Sequence, residues 1–256
     1  MQAERYRRIE QLLQNRDLVG VAELETDLSV SRATIYRDLK ALNRDGKIRL
    51  VRGGIARPVD PFPLQKENAY DEKARANADE KARIAAYASE LIRPGSTIFL
   101  DSSTTLLNIC PHVKRIGDLF VITNDVRIAA ELSAAKDVSF YVMGGHLRRN
   151  YYTLTNRAPR EQLREIAIDV AFLSCDAITP RHGCMVANDG EVPLKKFVLA
   201  HAAQRSVVVC DHSKFNRTAF ISFANVTDFT HIITGRELSD ELYQSFYEVC
   251  RNIVRV

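Results

Sequence analysis

From about Asp71 to its last residue the chain repeats one pattern: a short apolar run, a polar cluster, then a stretch with helical spacing. That alternation points to an α/β domain with a largely parallel sheet, because parallel neighbours need a long, usually helical, connection. The apolar runs fall near Thr97–Leu100, Leu119–Thr123, Val138–Met143, Val170–Ser174, Ser206–Cys210 and His231–Thr234, and each predicts a strand. Helices are predicted between them, most clearly over Glu72–Ile92, Val192–Gln204 and Asp240–Arg251.

The chain upstream has a different character. Residues 3–57 read as three short helices followed by a basic, glycine-containing hairpin. Pro58, Pro61 and Pro63 then fall within six positions. Proline removes a donor and disfavours helix at the residue before it, so this stretch predicts a semi-rigid linker. The expected organisation is a small winged helix-turn-helix domain at 1–57, a linker at 58–70 and an α/β effector-binding domain at 71–256.

Charge separates the same regions. Residues 1–57 hold 12 Lys/Arg against 8 Asp/Glu, while residues 58–256 hold 24 of each. The positive surplus therefore lies wholly in the first segment, where it would attract a polyanion such as DNA. The five cysteines form no Cys-x-x-Cys pair and are odd in number, which argues against a disulfide framework and a zinc site. Free thiols in a reducing cytoplasm are expected, with no metal and no cofactor. No apolar run approaches the ~20 residues of a membrane helix. The start, Met1-Gln2-Ala3-Glu4-Arg5, lacks the apolar core of a secretory signal.

Within the first segment, Val21, Leu24 and Leu28 share one face of a short amphipathic helix. Ser29-Val30-Ser31 turns the chain, and Ser31 is placed to cap the next helix, Arg32 to Leu42. Ile35, Leu39 and Leu42 mark its inward face. The opposite face carries Arg32, Tyr36 and Lys40 at i, i+4, i+8, with Ala33, Thr34 and Arg37 beside them. A recognition helix inserts such a face into a major groove, where Lys and Arg reach phosphates or guanine edges. After Gly46, the segment Lys47 to Ile55, with Arg52, predicts a basic wing. Any exposed helix carries charges; the order of short helix, serine turn, capped helix and basic hairpin is the more specific signal.

In the second segment, polar clusters follow the strands directly. These are Asp101-Ser102-Ser103-Thr104-Thr105, Thr123-Asn124, Gly144-Gly145-His146-Leu147-Arg148, Asp176, and Asp211-His212-Ser213-Lys214-Phe215. Ligands of open parallel sheets bind beyond the carboxyl ends of strands, so five such clusters predict one pocket. The hydroxyl run 102–105 opens a predicted helix and suits a phosphate, although a Ser/Thr run alone reads as capping. The glycine pair would let backbone approach the ligand, and Arg148 and Lys214 would supply charge. Asn188, Glu191 and Lys195 form a further group. Glu191 and Lys195 read either as a surface i, i+4 ion pair or as a pocket acid and base that bind hydroxyls.

The run Leu28-Ser29-Val30-Ser31-Arg32-Ala33-Thr34-Ile35-Tyr36-Arg37-Asp38-Leu39 resembles the helix-turn-helix signature of DeoR-type bacterial regulators, and Gly46 and Arg52-Gly53-Gly54 match the end of that domain. Tyr36 stands where the family usually has a second arginine, which implies a different operator sequence. The resemblance continues in order through Asp101-x-x-Thr104-Thr105, Thr123-Asn124, Gly144-Gly145-x-x-Arg148, Glu191-x-x-x-Lys195 and Asp211-His212-Ser213-Lys214-Phe215. Departures are Ser103 in place of a glycine, the turn Ser174-Cys175-Asp176-Ala177, and Asn156-Arg157 in place of a Gly-Pro pair. The resemblance implies a ribose-5-phosphate-isomerase-like sensor domain, a phosphorylated sugar as effector and repression of a sugar-catabolic operon. It also implies a homodimer or higher oligomer, as paired operator half-sites need paired readers. Two other functions compete with this one. One is a sugar-phosphate isomerase with Glu191, Asp176, Asp211 and Lys195 in acid–base roles, and the other is a DNA-binding protein whose second domain only oligomerises.

Overall fold

The computed structural model describes every residue except 1, 15–17, 29, 45–47, 52, 57–69, 149–150 and 157. The chain folds as two compact units, 1–63 and 64–256.

The first unit runs α1 (Gln2–Gln14), β1 (Leu18–Gly20), α2 (Val21–Leu28), α3 (Arg32–Arg44), β2 (Arg49–Val51) and β3 (Gly54–Ala56). Strand β3 is central and pairs antiparallel with both β1 and β2. The inward residues of α3 are the expected ones: Ile35, Leu39 and Leu42 are wholly buried against Ile9, Leu24 and Ile55. Gly54 is needed where β3 meets β1, since a Cβ there would lie 2.3 Å from the Val19 carbonyl oxygen. Strand β1 was not expected, because three residues are too few to show strand alternation.

The second unit opens with α4 (Tyr70–Arg75) and α5 (Ala78–Ser89), then β4 (Thr97–Leu100), α6 (Thr104–Leu107), α7 (Cys110–Ile116), β5 (Leu119–Thr123), α8 (Val126–Leu132) and β6 (Val138–Val142). A hairpin of β7 (His146–Leu147) and β8 (Leu154–Thr155) follows, then α9 (Pro159–Leu163), β9 (Ile168–Ser174), β10 (Ala177–Thr179) and β11 (Gly183–Val186). The chain ends through α10 (Val192–His201), β12 (Ala202–Val209), β13 (Ile221–Ala224), β14 (His231–Thr234), α11 (Asp240–Tyr247) and β15 (Ile253–Arg255). The main sheet has seven parallel strands in the order β15-β14-β12-β9-β4-β5-β6.

All six expected strands are present, and they read as continuous apolar runs because the sheet is covered on both faces. Val170 and Phe172 of β9 pack on the side of α5, α7 and α8, while Ala171 and Leu173 pack toward α10 and α11. From β4 the chain moves outward to β5 and β6, then returns to β9 on the other side of β4. The carboxyl ends of β4 and β9 therefore flank a topological switch point, where an open α/β sheet leaves a crevice.

Two expectations are corrected. The helix expected over Glu72–Ile92 is two helices, broken at Asn77, which sits in the left-handed region at φ 55°, ψ 37°. Asparagine tolerates that region, and its side-chain amide donates to Asp211 Oδ1 at 2.9 Å. The helix expected to reach Gln204 ends at His201, because Ala202 already pairs with Ile168 of β9. The expected linker, 58–70, lies outside the described residues except for Tyr70, which is buried and opens α4. Strand β15, the antiparallel sheet β10-β11-β13 and the β7–β8 hairpin were not anticipated.

Candidate functional site

On the first unit, Arg32, Tyr36, Arg37 and Lys40 are exposed along α3, with Thr34 half-buried beside them. Ser31 caps the helix: its Oγ accepts from the Thr34 amide at 3.4 Å and lies 2.9 Å from Thr34 Oγ1. Arg32 stands over the Tyr36 ring, 6.0 Å from its centroid, and 3.6 Å from Glu25 Oε1. Contacts as exposed as these hold a side chain only weakly. Inside, buried Asp38 accepts from Arg5 Nε at 2.7 Å and ties α3 to α1. Arg52 and Gly46 lie outside the described residues.

The second unit has a cavity at the switch point, with about 600 Å³ of atom-free space counted out to its open mouth. Ten expected residues line it: Ser102, Ser103, Thr104, Thr105, Arg148, Asp176, Glu191, Lys195, Asp211 and Lys214. Asp101 and Asn124 support the wall from behind. Asp101 accepts from the Ser174 amide and hydroxyl at 3.0 and 2.9 Å, joining the ends of β4 and β9, and Asn124 Oδ1 accepts from the Ser102 amide at 3.0 Å.

The hydroxyl run does two jobs. Ser103 Oγ accepts from the amides of Thr105 and Leu106 at 3.1 and 3.4 Å, which is capping. Ser102 Oγ donates to Asp125 Oδ2 at 2.7 Å and is 2.7 Å from Thr153 Oγ1. Among the described residues, nothing accepts from the amides of Ser103 and Thr104. Both residues line the cavity.

Most charges in the cavity are paired. Lys195 bonds Asp101 and the Ser174 carbonyl oxygen (3.0 Å) and is 3.9 Å from Glu191; Arg148 pairs with Glu191, and Lys73 with Asp176 at 2.7 Å. Burial pushes the Glu191 carboxyl up to about 7, aided by Asp176 and Asp101 and resisted by Lys195 and Arg148. Burial alone would lower Lys195, but Asp101 and Glu191 outweigh it and hold the ammonium above its ordinary value. Burial likewise opposes ionisation of Asp176, yet Lys73 brings it below the usual carboxylate range. Lys214 is the lining cation that makes no carboxylate ion pair among the described residues. The surface-pair reading of Glu191 and Lys195 does not hold, since Lys195 is only 2 % exposed. Asn188 instead caps the turn before α10, accepting from the Gly190 amide at 3.0 Å.

The glycine pair needs correction. Gly144 and Gly145 do not line the cavity. A Cβ on Gly145 would sit 2.3 Å from the Thr155 carbonyl oxygen, so the missing side chain serves the close approach of β8 to β7. Gly144 donates its amide to Gln162 Oε1 at 3.2 Å. Sequence reasoning missed Tyr70, Lys73, Tyr151 and Thr153, which also line the cavity. Ligand-type atoms of Glu80, Asp211 and His212 lie within 4.8 Å of one another. These carboxylates serve the fold: Glu80 takes the His212 amide and Nδ1, both at 2.7 Å, and Asp211 takes Asn77 and the Ser213 amide. All five cysteines are buried and free. Among the described residues, no helix is long and apolar enough to cross a membrane.

Residues 76–236 match the DeoR C-terminal sensor domain, and residues 5–56 match an HTH domain. The chain belongs to the DeoR family of transcription regulators. It is 32 % identical over 237 residues to an uncharacterized HTH-type transcriptional regulator, YgbI, of Escherichia coli K12, covering 93 % of this chain and 91 % of that one. It is 33 % identical to a putative aga operon transcriptional repressor of Escherichia coli O157:H7 (85 % and 80 % covered). It is 30 % identical to the HTH-type transcriptional repressor GlcR of Bacillus subtilis (92 % and 89 % covered). These relatives are named as transcriptional regulators or repressors, in keeping with the DeoR sensor and HTH domains of this chain. Ribose 5-phosphate isomerase A of Methanocaldococcus jannaschii superposes over 55 % of each chain with a TM-score of 0.39 and 19 % identity, a likeness too slight to bear on function.

Proposed function

We propose that this chain is a cytoplasmic repressor of a carbohydrate-catabolic operon, and that a phosphorylated sugar or sugar derivative bound in the switch-point cavity alters its grip on operator DNA. One observation carries the reading of the cavity. Lys214, unpaired with any carboxylate among the described residues, lines the same cavity as the unengaged amides of Ser103 and Thr104. A cation and backbone donors lining one cavity suit a single phosphate. The paired groups Glu191, Lys195, Arg148 and Asp176 offer donors and acceptors to sugar hydroxyls. On the other unit, Ser31, Arg32, Thr34, Tyr36, Arg37 and Lys40 are the DNA-reading set, with Arg52 added from the wing. The protein works as a homodimer or larger homo-oligomer, so that two α3 helices meet two half-sites.

The test is a thermal-shift comparison of phosphorylated sugars, polyols and sugar acids with their unphosphorylated counterparts. A true effector at ~100 times its Kd adds about 2.7 kcal/mol. Stabilisation by a phosphorylated compound alone supports the reading, and equal stabilisation by its unphosphorylated counterpart removes the phosphate from it.

A further inference from the structure

Helix α4 is the first described element after residues 57–69, which lead from the DNA-binding unit. It is fastened to the cavity at several independent points. Tyr70 and Lys73, one turn apart, both line the cavity. The Tyr70 ring is buried edge-on against Tyr152, 5.0 Å between centroids, with the Arg127 guanidinium 4.8 Å from its own centroid. Lys73 reaches across to Asp176 at 2.7 Å, both side chains being about one-fifth exposed (18 % and 21 %). Behind Lys73, the buried Lys81 ammonium donates to the Lys73 carbonyl oxygen and, at 2.7 Å, to that of Ala76. Lys81 itself stands 3.9 Å from Asp211, which also receives Asn77. Helix α4 packs beside α6, at whose start the amides of Ser103 and Thr104 have no acceptor among the described residues.

We propose that Lys73 is a ligand-contacting residue that anchors α4, and that Asp176 serves as its counter-ion when no anion is bound. An anion received at Ser103, Thr104 and Lys214 takes over the neutralisation of Lys73. Ligand occupancy is thereby read at α4, the first described helix of the second unit. This inference rests on reading the cavity as an anion site. Its chemistry is an exchange of carboxylate for phosphate around one ammonium, and no covalent step is involved. Lys73 is a positioning residue for α4 as well as a contact.

The experiment is hydrogen exchange on the full chain, with inorganic phosphate as the probe and chloride at matched ionic strength as the control. In Asp176→Asn, amides of residues 70–76 should exchange about tenfold faster than in the wild type, and phosphate should restore their protection. In Lys73→Gln the same amides should exchange faster, and phosphate should leave them so while still slowing exchange at 103–106 and 211–215. The inference is overturned if phosphate protects 103–106 and 211–215 but fails to restore α4 in Asp176→Asn, or restores it equally in Lys73→Gln; the anion-site reading survives either result. Absence of protection at 103–106 and 211–215 in every variant overturns both.

Discussion

Replacing Lys195 by methionine isolates the electrostatic keystone of the cavity. Lys195 and Asp101 are 2 % and 1 % exposed, and their pairing joins α10 to the end of β4. Methionine preserves most of the volume but leaves the Asp101 charge buried without its counter-ion. Breaking a buried pair in this way costs about 3–5 kcal/mol. Asp101 keeps the Ser174 amide and hydroxyl as donors at 3.0 and 2.9 Å, which places the expected loss near the lower bound, ~3 kcal/mol. Glu191 adds little, because its carboxyl is already pushed up to about 7 and takes a proton when the cation goes. For a unit of this size each kcal/mol moves Tm by roughly 2–4 °C, so Tm should fall by roughly 6–12 °C. Calorimetry of the full chain reads this as a shift of the larger unit's transition. The double variant Asp101→Asn/Lys195→Met removes the stranded charge and should recover more than half of the loss. A fall of under ~2 °C in Lys195→Met, or a double variant as unstable as the sum of its parts, would refute the reasoning.

Stability should also carry a pH signature from Glu191. Its carboxyl is raised from 4.5 to about 7 in the folded protein, so the contribution is fully present below pH 4.5 and is lost as pH rises through 7. Denaturant titrations of Glu191→Gln should lack this decline between pH 5 and 8, and a parallel pH profile in both proteins would count against the shift. Gly183 sits at φ +68°, and a Cβ there would lie 1.9 Å from the Ala224 carbonyl oxygen. Gly183→Ala should therefore cost over ~2 kcal/mol by splaying β11 from β13, while a change below ~0.5 kcal/mol would contradict the close approach. Arg37→Ala should weaken DNA binding uniformly if Arg37 meets phosphate and selectively if it reads a base, as anisotropy against a panel of sites would show. Unchanged affinity across the panel would remove Arg37 from the interface.

Much of the fold was legible because both of its devices are local. Ile35, Leu39 and Leu42 declare the inward face of α3 by spacing alone. The six core strands are apolar runs of ordinary length, each followed by polar residues, whereas the strand order that opens a crevice where β4 and β9 end is set by long-range pairing. Asp101, Ser102 and Asp176 could be found because they follow those runs directly. Other features depend on partners distant in sequence. Lys73 gains its meaning from Asp176, 103 positions away, and Asn77 from Asp211, 134 away. The end of α10 is set by pairing of Ala202 with Ile168, which overrides the helical pattern running toward Gln204. Gly144 and Gly145 misled for a related reason. A glycine pair after a strand can serve a ligand or a neighbouring backbone, and only the Thr155 carbonyl beside Gly145 decides between them.

Control of the DNA-reading unit by the cavity is the core of the proposed function. It is tested most directly by anisotropy of labelled operator DNA bound to the full chain, titrated with the phosphorylated sugar that stabilises it, for wild type and Lys214→Ala. A change of at least tenfold in operator affinity in the wild type, absent with the unphosphorylated sugar and blunted in Lys214→Ala, is the expected result. An operator affinity unmoved by a ligand that demonstrably fills the cavity would contradict the account.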